Sequence, residues 1–292
     1  MKNPDTLKDY TIHGTGDCPL HVYNQYYTDR ILSVYYHWHK EIELIYVEKG
    51  PVDIIVNGIP CQVKDGDFIC INSEELHQLH SVGNLPSIHH ALVFLPDILQ
   101  SEYPDAAQTH SIYPLINQSP ILPRIIPSDA TSGEKTRTAF LEILRLFERR
   151  TPGWYLGVKS CIYQILTILI CENLLIAEPG IHHPDYKTAL VKKSMQYIHE
   201  HYQQKIYLEE LAANVSMNTQ YFCRFFKSIV GKTPVAYINH YRITQAARLL
   251  QSENISVTEA GLRTGFENPS YFIKLFKAQS QMTPSDYKKL FY

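Results

Sequence analysis

Four side chains in the first third of the chain have types and spacings that could act together: His37, His39, Glu43 and His77. His37 and His39 are two residues apart, so on one strand both face the same side. Glu43 and His77 can converge on them inside a barrel. Imidazole nitrogens and a carboxylate suit a divalent metal or a polar small molecule. At the other end stand two sets of a different kind, Asn218, Thr219, Gln220, Cys223, Arg224 and Lys227, then Asn268, Pro269, Ser270, Ile273, Lys274 and Lys277. Gln220 and Arg224 offer the donors and acceptors that read base edges, Arg most often on guanine, and the lysines suit phosphates.

The second pair of sets lies in a duplicated stretch. Tyr221, Phe222, Phe226, Lys227, Thr233, Pro234 and Tyr237 recur 50 residues on as Tyr271, Phe272, Phe276, Lys277, Thr283, Pro284 and Tyr287. In the helices that lead into them the offset is 49, Leu208 to Val257, so the second turn holds one extra residue. The pattern predicts two helix-turn-helix units within a seven-helix domain, 188–292. Asn218 and Asn268 are expected to cap the two reading helices. Phe222, Phe225, Phe226 and Ile229 should point inward from the first, and Phe272, Leu275 and Phe276 from the second. Pro269, Ser270 and Ile273 bond less than Gln220 and Arg224, so the second unit should read bases less specifically. A helix from about Pro234 to Gln251 would hold the two units apart.

The histidines lie in a stretch of different character. From Leu20 to Phe94 apolar residues alternate, as in Ile42, Leu44 and Tyr46, and Asn57-Gly58 and Asp65-Gly66 supply tight turns. Residues 1–131 are therefore read as a small β-barrel or double-sheet jelly roll, with the proline-rich stretch 95–131 as loops with a short helical turn. At 132–177 the period becomes helical, with a stripe of Phe140, Leu141, Leu144 and Phe147, a break at Pro152-Gly153, and a second helix from about Tyr155 to Ala177. That second helix is apolar round most of its circumference, which points to packing on the barrel and on a second subunit. Residues 178–187 read as a linker. The fold class is α+β.

Charge divides along the same line. Residues 185–292 carry 14 Lys and Arg against 8 Asp and Glu, and residues 1–184 carry 13 against 21. A basic tail on an acidic body suits a phosphate backbone at one end. The six cysteines form no C-x-x-C pair, which with the polar opening of the chain points to a reduced, cytoplasmic protein. The apolar stretch Ile162–Ile176 is too short for a bilayer span and holds Gln164 and Glu172. No nucleophile triad, P-loop or dinucleotide fingerprint is present, so no enzyme is expected.

Leu208, Leu211 and Ala212, then Tyr221, Phe222, Arg224, Phe226 and Lys227, Gly231, Thr233, Pro234 and Tyr237, Arg242, Ala246, Leu249 and Leu250, Gly265 and Phe266, and Ser270 to Phe272 together resemble the AraC/XylS family of bacterial transcription regulators. Gln281, where the family has Gly, and Ala260-Gly261 and Asn218 depart from the pattern. His37, His39, Glu43 and Gly50 resemble the first cupin motif, and Gly66-Asp67 with His77 the second. The resemblance implies a cupin-like sensor that binds a small-molecule effector, a homodimer, double-stranded DNA and RNA polymerase as partners, and activation rather than repression. His37, His39, Glu43, Tyr46 and His77 are the residues assigned to the effector pocket. In metal cupins the same His and Glu set holds Zn, Mn, Fe or Ni, whereas in the sensors of these regulators such histidines line a pocket or pack without metal, so no cofactor is assigned. Tyr23, Tyr26, Tyr27, Tyr35, Tyr36 and Tyr46 would suit a sugar. Two other readings stay open: a barrel that only dimerises, and a metal-dependent cupin enzyme with a DNA-binding tail.

Overall fold

A computed structural model describes residues 14–27, 33–82, 85–177, 186–280 and 282–292. These fall into two compact units, residues 14–177 and residues 186–292. Of the expected linker only Tyr186 and Lys187 are described, at the start of a helix, and Gln281 also lies outside the described residues.

In the first unit the strands are β1 (Leu20–Tyr27), β2 (Ser33–His37), β3 (Ile42–Lys49), β4 (Val52–Val56), β5 (Ile59–Cys61), β6 (Phe68–Ile71), β7 (His77–Ser81), β8 (Ser87–Phe94) and β9 (Ile125–Ile126). They form a five-stranded sheet in the order β1-β8-β3-β6-β9 and a four-stranded sheet in the order β2-β7-β4-β5. Every pairing is antiparallel. The β4–β5 turn is Asn57-Gly58, both at positive φ (51° and 80°), as a two-residue hairpin of this hand requires. β5 ends at Cys61, so Val63 falls in the following connection rather than in a strand.

Between β8 and β9 the proline-rich stretch holds more helix than the one short turn expected. It holds a single turn of tight helix at Pro96–Leu99, a wide helical turn at Gln108–Ile112, and α1 (Tyr113–Ile116). β9 then pairs with the edge of β6, Phe68 opposite Ile126.

The five-stranded sheet is covered on both faces. Between the sheets lie Ile45, Val47, Ile69, Ile71 and Ala91 from one and Val52, Ile54, Val56 and Leu79 from the other. On the outer face Leu44, Tyr46, Phe68, Leu92 and Phe94 meet Phe140, Ile143, Ile162 and Ile165 of a helical hairpin. That hairpin is α2 (Thr131–Arg149) and α3 (Trp154–Cys171). Gly153, at φ 83°, sits at the start of α3 in a conformation that suits a residue without a Cβ.

Two helical expectations need correction. The buried face of α2 is Thr136, Ala139, Phe140 and Ile143, with Leu144 and Phe147 half-buried against the same core, so that of the expected stripe only Leu141 is exposed. The apolar helix runs Trp154–Cys171, starting within one residue of the expected Tyr155 but ending well before Ala177, and Ile176 instead bridges to Ile121. At 18 residues it is long and apolar enough to cross a bilayer by length and composition. Val158, Ile162, Ile165 and Leu169 nevertheless form a stripe buried against the sheet.

The second unit is helical: α4 (Tyr186–His201), α5 (Leu208–Asn214), α6 (Thr219–Val230), α7 (Pro234–Ser252), α8 (Val257–Arg263), α9 (Pro269–Ser280) and α10 (Pro284–Lys288). Phe222, Phe225, Phe226 and Val230 are the buried residues of α6, and Ile229, expected inward, is only half-buried. Val230 takes the innermost place because it completes the i, i+4 line from Phe226.

Phe140 stands where α2, β3 and β6 meet, with its ring 5.3 Å from Phe68 and 5.9 Å from Tyr46. Its truncation leaves a cavity that rigid sheet residues cannot fill. Phe140→Ala should destabilise the first unit by about 3–5 kcal/mol, read from the urea transition of that unit.

Candidate functional site

Strand parity decides what enters the space between the sheets. On β3, Glu43, Ile45 and Val47 point inward, and Ile42, Leu44 and Tyr46 point to the helical hairpin. Glu43 thereby becomes an acidic group in an apolar chamber, its side chain only 12% exposed. His37, at the end of β2, lies directly opposite His77, the first residue of β7. The register slips by one residue between Val34 and His37, a bulge that re-aims the strand end and brings the two rings to 4.1 Å.

His39 does not share a strand with His37, because β2 stops at His37 and His39 belongs to the connection to β3. That connection is tied to the loop before β7, where the Glu74 amide donates to the His39 carbonyl at 2.8 Å and the Ser73 hydroxyl to the Lys40 carbonyl at 2.7 Å. The His39 ring is 5.6 Å from that of His37 and 5.0 Å from that of His77. Glu43 Oε2 lies 3.5 Å from His39 Nε2 and 3.3 Å from His77 Nε2.

The outer nitrogens of two rings are held by backbone carbonyls. His77 Nδ1 is 2.8 Å from the Glu75 carbonyl oxygen, and His39 Nδ1 is 3.1 Å from that of Glu41. A carbonyl only accepts, so each Nδ1 carries the proton and each Nε2 presents a lone pair when the ring is neutral. Glu75 is itself fixed by a buried network: Arg124 donates to both of its carboxylate oxygens, Asn57 Nδ2 donates to Oε1 at 3.2 Å, and the Asn72 amide to Oε2 at 2.8 Å. Desolvation pushes the Glu43 carboxyl up, but the His39 and His77 imidazoles outweigh it and hold it well below the usual carboxylate range. Burial works against charge on His39, and Glu43 with Glu41 overcomes that and raises its pKa.

Of the five pocket residues named from the sequence, the structure brings His37, His39, Glu43 and His77 together, their ligand atoms all within 4.8 Å of one another. Tyr46 is not among them. Three residues from Glu43 on one strand, it faces the other way and stacks at 4.9 Å on Phe68. Of the tyrosines considered for a sugar, Tyr23 and Tyr27 line the inter-sheet core and Tyr26 is exposed. The Tyr35 side chain lies outside the described groups. One inward residue was overlooked: His89 on β8 stacks on Tyr27 at 5.7 Å, and burial pushes its imidazole down to about 4. Its parity with Ala91 was the available signal.

In the second unit the Asn218 side chain accepts from the Tyr221 amide at 2.9 Å, and that of Asn268 from the Tyr271 amide at 3.0 Å. Each caps the first turn of its helix. Gln220, Arg224 and Lys227 are exposed on α6, with Thr219 and Cys223 half-buried beside them. Pro269, Ser270, Ile273, Lys274 and Lys277 are exposed on α9. Tyr221 and Tyr271 stand on the same first turns and are also exposed. They were read as repeat markers rather than surface residues, although their position beside the cap signalled exposure.

Four residues separate α5 from α6 and five separate α8 from α9. The second turn contains Gly265 at φ 86°, where a Cβ would lie 2.5 Å from the Tyr202 carbonyl oxygen. Gly261 has a reason of its own, since a Cβ there would meet the Phe272 ring at 3.0 Å. Arg242 of α7 donates to the Tyr202 and Gln204 carbonyls at 2.7 and 2.6 Å and lies over the Phe266 ring, so the end of α4 is bonded to the strut and the strut packs on the second turn.

A duplicated, cap-initiated helix-turn-helix unit in one domain and a double-sheet barrel with a buried His–Glu cluster in the other define a DNA-binding transcription regulator with a separate ligand-binding domain. Residues 22–166 match the AraC-like ligand binding domain and residues 211–290 a helix-turn-helix domain. The HTH-type transcriptional regulator YdeC of Bacillus subtilis is 27% identical over 99% of both chains. The HTH-type transcriptional activator RhaS of Klebsiella pneumoniae is 23% identical over 87% of each. Among solved structures, the DNA-binding domain of AdpA, a global transcriptional factor in complex with a target DNA, is 30% identical over 34% of this chain and 90% of that one, with a TM-score of 0.33. The chain belongs to the AraC-type family of helix-turn-helix transcriptional regulators.

His199 on α4 is buried, its Nε2 2.9 Å from the Tyr237 hydroxyl, and burial followed by the charge of Arg248 pushes its imidazole down to about 3. The unfolded chain binds a proton there near 6.5 and the folded one does not. Stability from this site is therefore complete above about pH 6.5 and falls as pH drops toward 3. His199→Gln should flatten the loss of thermal stability of the helical unit between pH 6.5 and 4, measured by circular dichroism against the wild type.

Proposed function

We propose that this regulator divides its work among a cupin-like effector domain (1–131), a helical hairpin that pairs two chains (132–177), a linker (178–187) and a DNA-reading domain (188–292). A small-molecule effector enters the space between the two sheets and meets His37, His39, Glu43 and His77. Two chains pair through α3, whose exposed line of Leu156, Ser160, Gln164, Thr167 and Ile170 carries no charge. Leu156 is 73% exposed, an unusual position for leucine on a helix of an isolated unit. The regulator works in the cytoplasm and recruits RNA polymerase; that it activates is supported by its similarity to RhaS, a transcriptional activator. A sugar remains one effector class to test.

The observation that carries the DNA reading is the pair of asparagine-capped helices with their outer faces free. On α6 this face offers Gln220 and Arg224, and on α9 it offers Ser270, Ile273 and Lys274. The first is the specific reader and the second contributes mainly phosphate contacts and apolar contact.

Two experiments follow. An operator selected from random duplexes, then titrated by fluorescence anisotropy, should bind Arg224→Ala about 1–3 kcal/mol more weakly and with relaxed preference at one position. Lys274→Ala should weaken all duplexes alike. An Arg224→Ala protein with unchanged affinity and preference would remove α6 as the reader. Leu156→Glu should convert a dimer to a monomer in analytical ultracentrifugation while leaving the urea transition of the barrel in place.

A further inference from the structure

We propose that His37, His39, Glu43 and His77 form a binding site for a divalent first-row transition-metal ion. The inference rests on the reading above that the inter-sheet space is the ligand chamber, and it places in that chamber an ion that an effector would meet.

Three observations carry it. The first is distance. Ligand atoms round an ion with bonds of ~2.0–2.2 Å stand roughly 3.0–3.5 Å apart when adjacent. Glu43 Oε2 already stands 3.3 Å from His77 Nε2 and 3.5 Å from His39 Nε2, and the whole set spans no more than 4.8 Å.

The second is the direction of the lone pairs. Metal-bound imidazoles give their other N–H to a carbonyl or carboxylate, which fixes tautomer and ring orientation. The Glu75 carbonyl does this for His77 and the Glu41 carbonyl for His39. The His77 ring is fully buried, and its Nε2 makes no hydrogen bond of good geometry although Glu43 is near. A buried nitrogen aimed at a carboxylate and two further imidazoles is poorly satisfied by protein alone.

The third is the support behind the ligands. The bulge in β2 places His37 opposite His77, and the Glu75–Arg124–Asn57–Asn72 network fixes the carbonyl that orients His77. Apolar packing in this corner would need neither device. Three nitrogens and one oxygen select Zn²⁺, Ni²⁺, Co²⁺, Mn²⁺ or Fe²⁺ over Mg²⁺ and Ca²⁺, which take all-oxygen shells.

The test uses the full chain, freed of metal by a chelator and titrated calorimetrically with Zn²⁺, Ni²⁺ and Mg²⁺ separately. The expected result is about one tight equivalent of Zn²⁺ or Ni²⁺ per chain and none of Mg²⁺. Glu43→Gln, which keeps the side-chain shape, and His77→Ala should each weaken that site by more than the ~10–100-fold that loss of an outer-sphere partner costs. His110→Ala, at an exposed histidine far along the chain, should leave it intact. X-ray absorption at the zinc edge of the wild type requires no variant to fold, and should give imidazole nitrogen and carboxylate oxygen neighbours at ~2.0–2.2 Å. A sulfur shell, binding untouched by Glu43→Gln, or no tight equivalent of any of these ions would overturn the proposal. Because no DNA enters the measurement, that outcome would leave the DNA-binding reading standing, and a failure of operator binding would leave metal binding unaffected.

Discussion

The constraint on which the barrel depends is that its central strand is buried on both sides. β3 lies between β8 and β6, with a second sheet on one face and a helical hairpin on the other. Each of its side chains must therefore enter one core or the other. A shift of one residue would drive the Glu43 carboxylate against Phe140 and send Leu44 among the histidines. Burying that charge away from its imidazoles costs several kcal/mol, so the register has a steep well around the observed alignment. The same alignment gives one sheet two unlike faces, an aromatic layer that anchors the hairpin and an inner layer that holds chemistry.

The inner layer is organised from its rim. His39 comes from a connection and His37 and His77 from strand ends, and hydrogen bonds from Ser73 and Glu74 to Lys40 and His39 stitch the loop before β7 to that connection. Behind them, Glu75 spends its carboxylate on Arg124, Asn57 and Asn72, which leaves its backbone carbonyl as a fixed acceptor. The hairpin residue Asn57 therefore serves twice, as the turn-former at positive φ and as a member of this network, since its side-chain oxygen also accepts from the Leu76 amide at 3.0 Å.

Much of this was legible in the residues. The 50-residue repeat gave both helix-turn-helix units and both asparagine caps, because capping chemistry is local. Asn57-Gly58 gave its hairpin for the same reason. The histidine cluster was legible as a set of types and spacings. What failed depended on packing partners. Leu141 falls outside the packing face of α2 because the sheet, absent from any local window, chooses where that face ends. The end of α3 is hard to read because the apolar Leu174, Leu175 and Ile176 follow it with no glycine or proline to stop the pattern. Tyr46 was grouped with the histidines by residue type, although its odd spacing from Glu43 already placed it on the other face. The bulge that ends β2 before His39 adds a residue without any glycine or proline to announce it. β9 has two residues, too few to show a period.

The unequal turns of the two helix-turn-helix units have a further consequence. With four residues in one and five in the other, and with Gln220, Cys223 and Arg224 replaced by Ser270, Ile273 and Lys274, the module is a near-repeat that cannot be exchanged with itself. Turned end for end on a duplex, it would set each reader against the other's bases. A lone protomer thus carries a sense of direction, and a promoter site bound by it points one way along the chromosome.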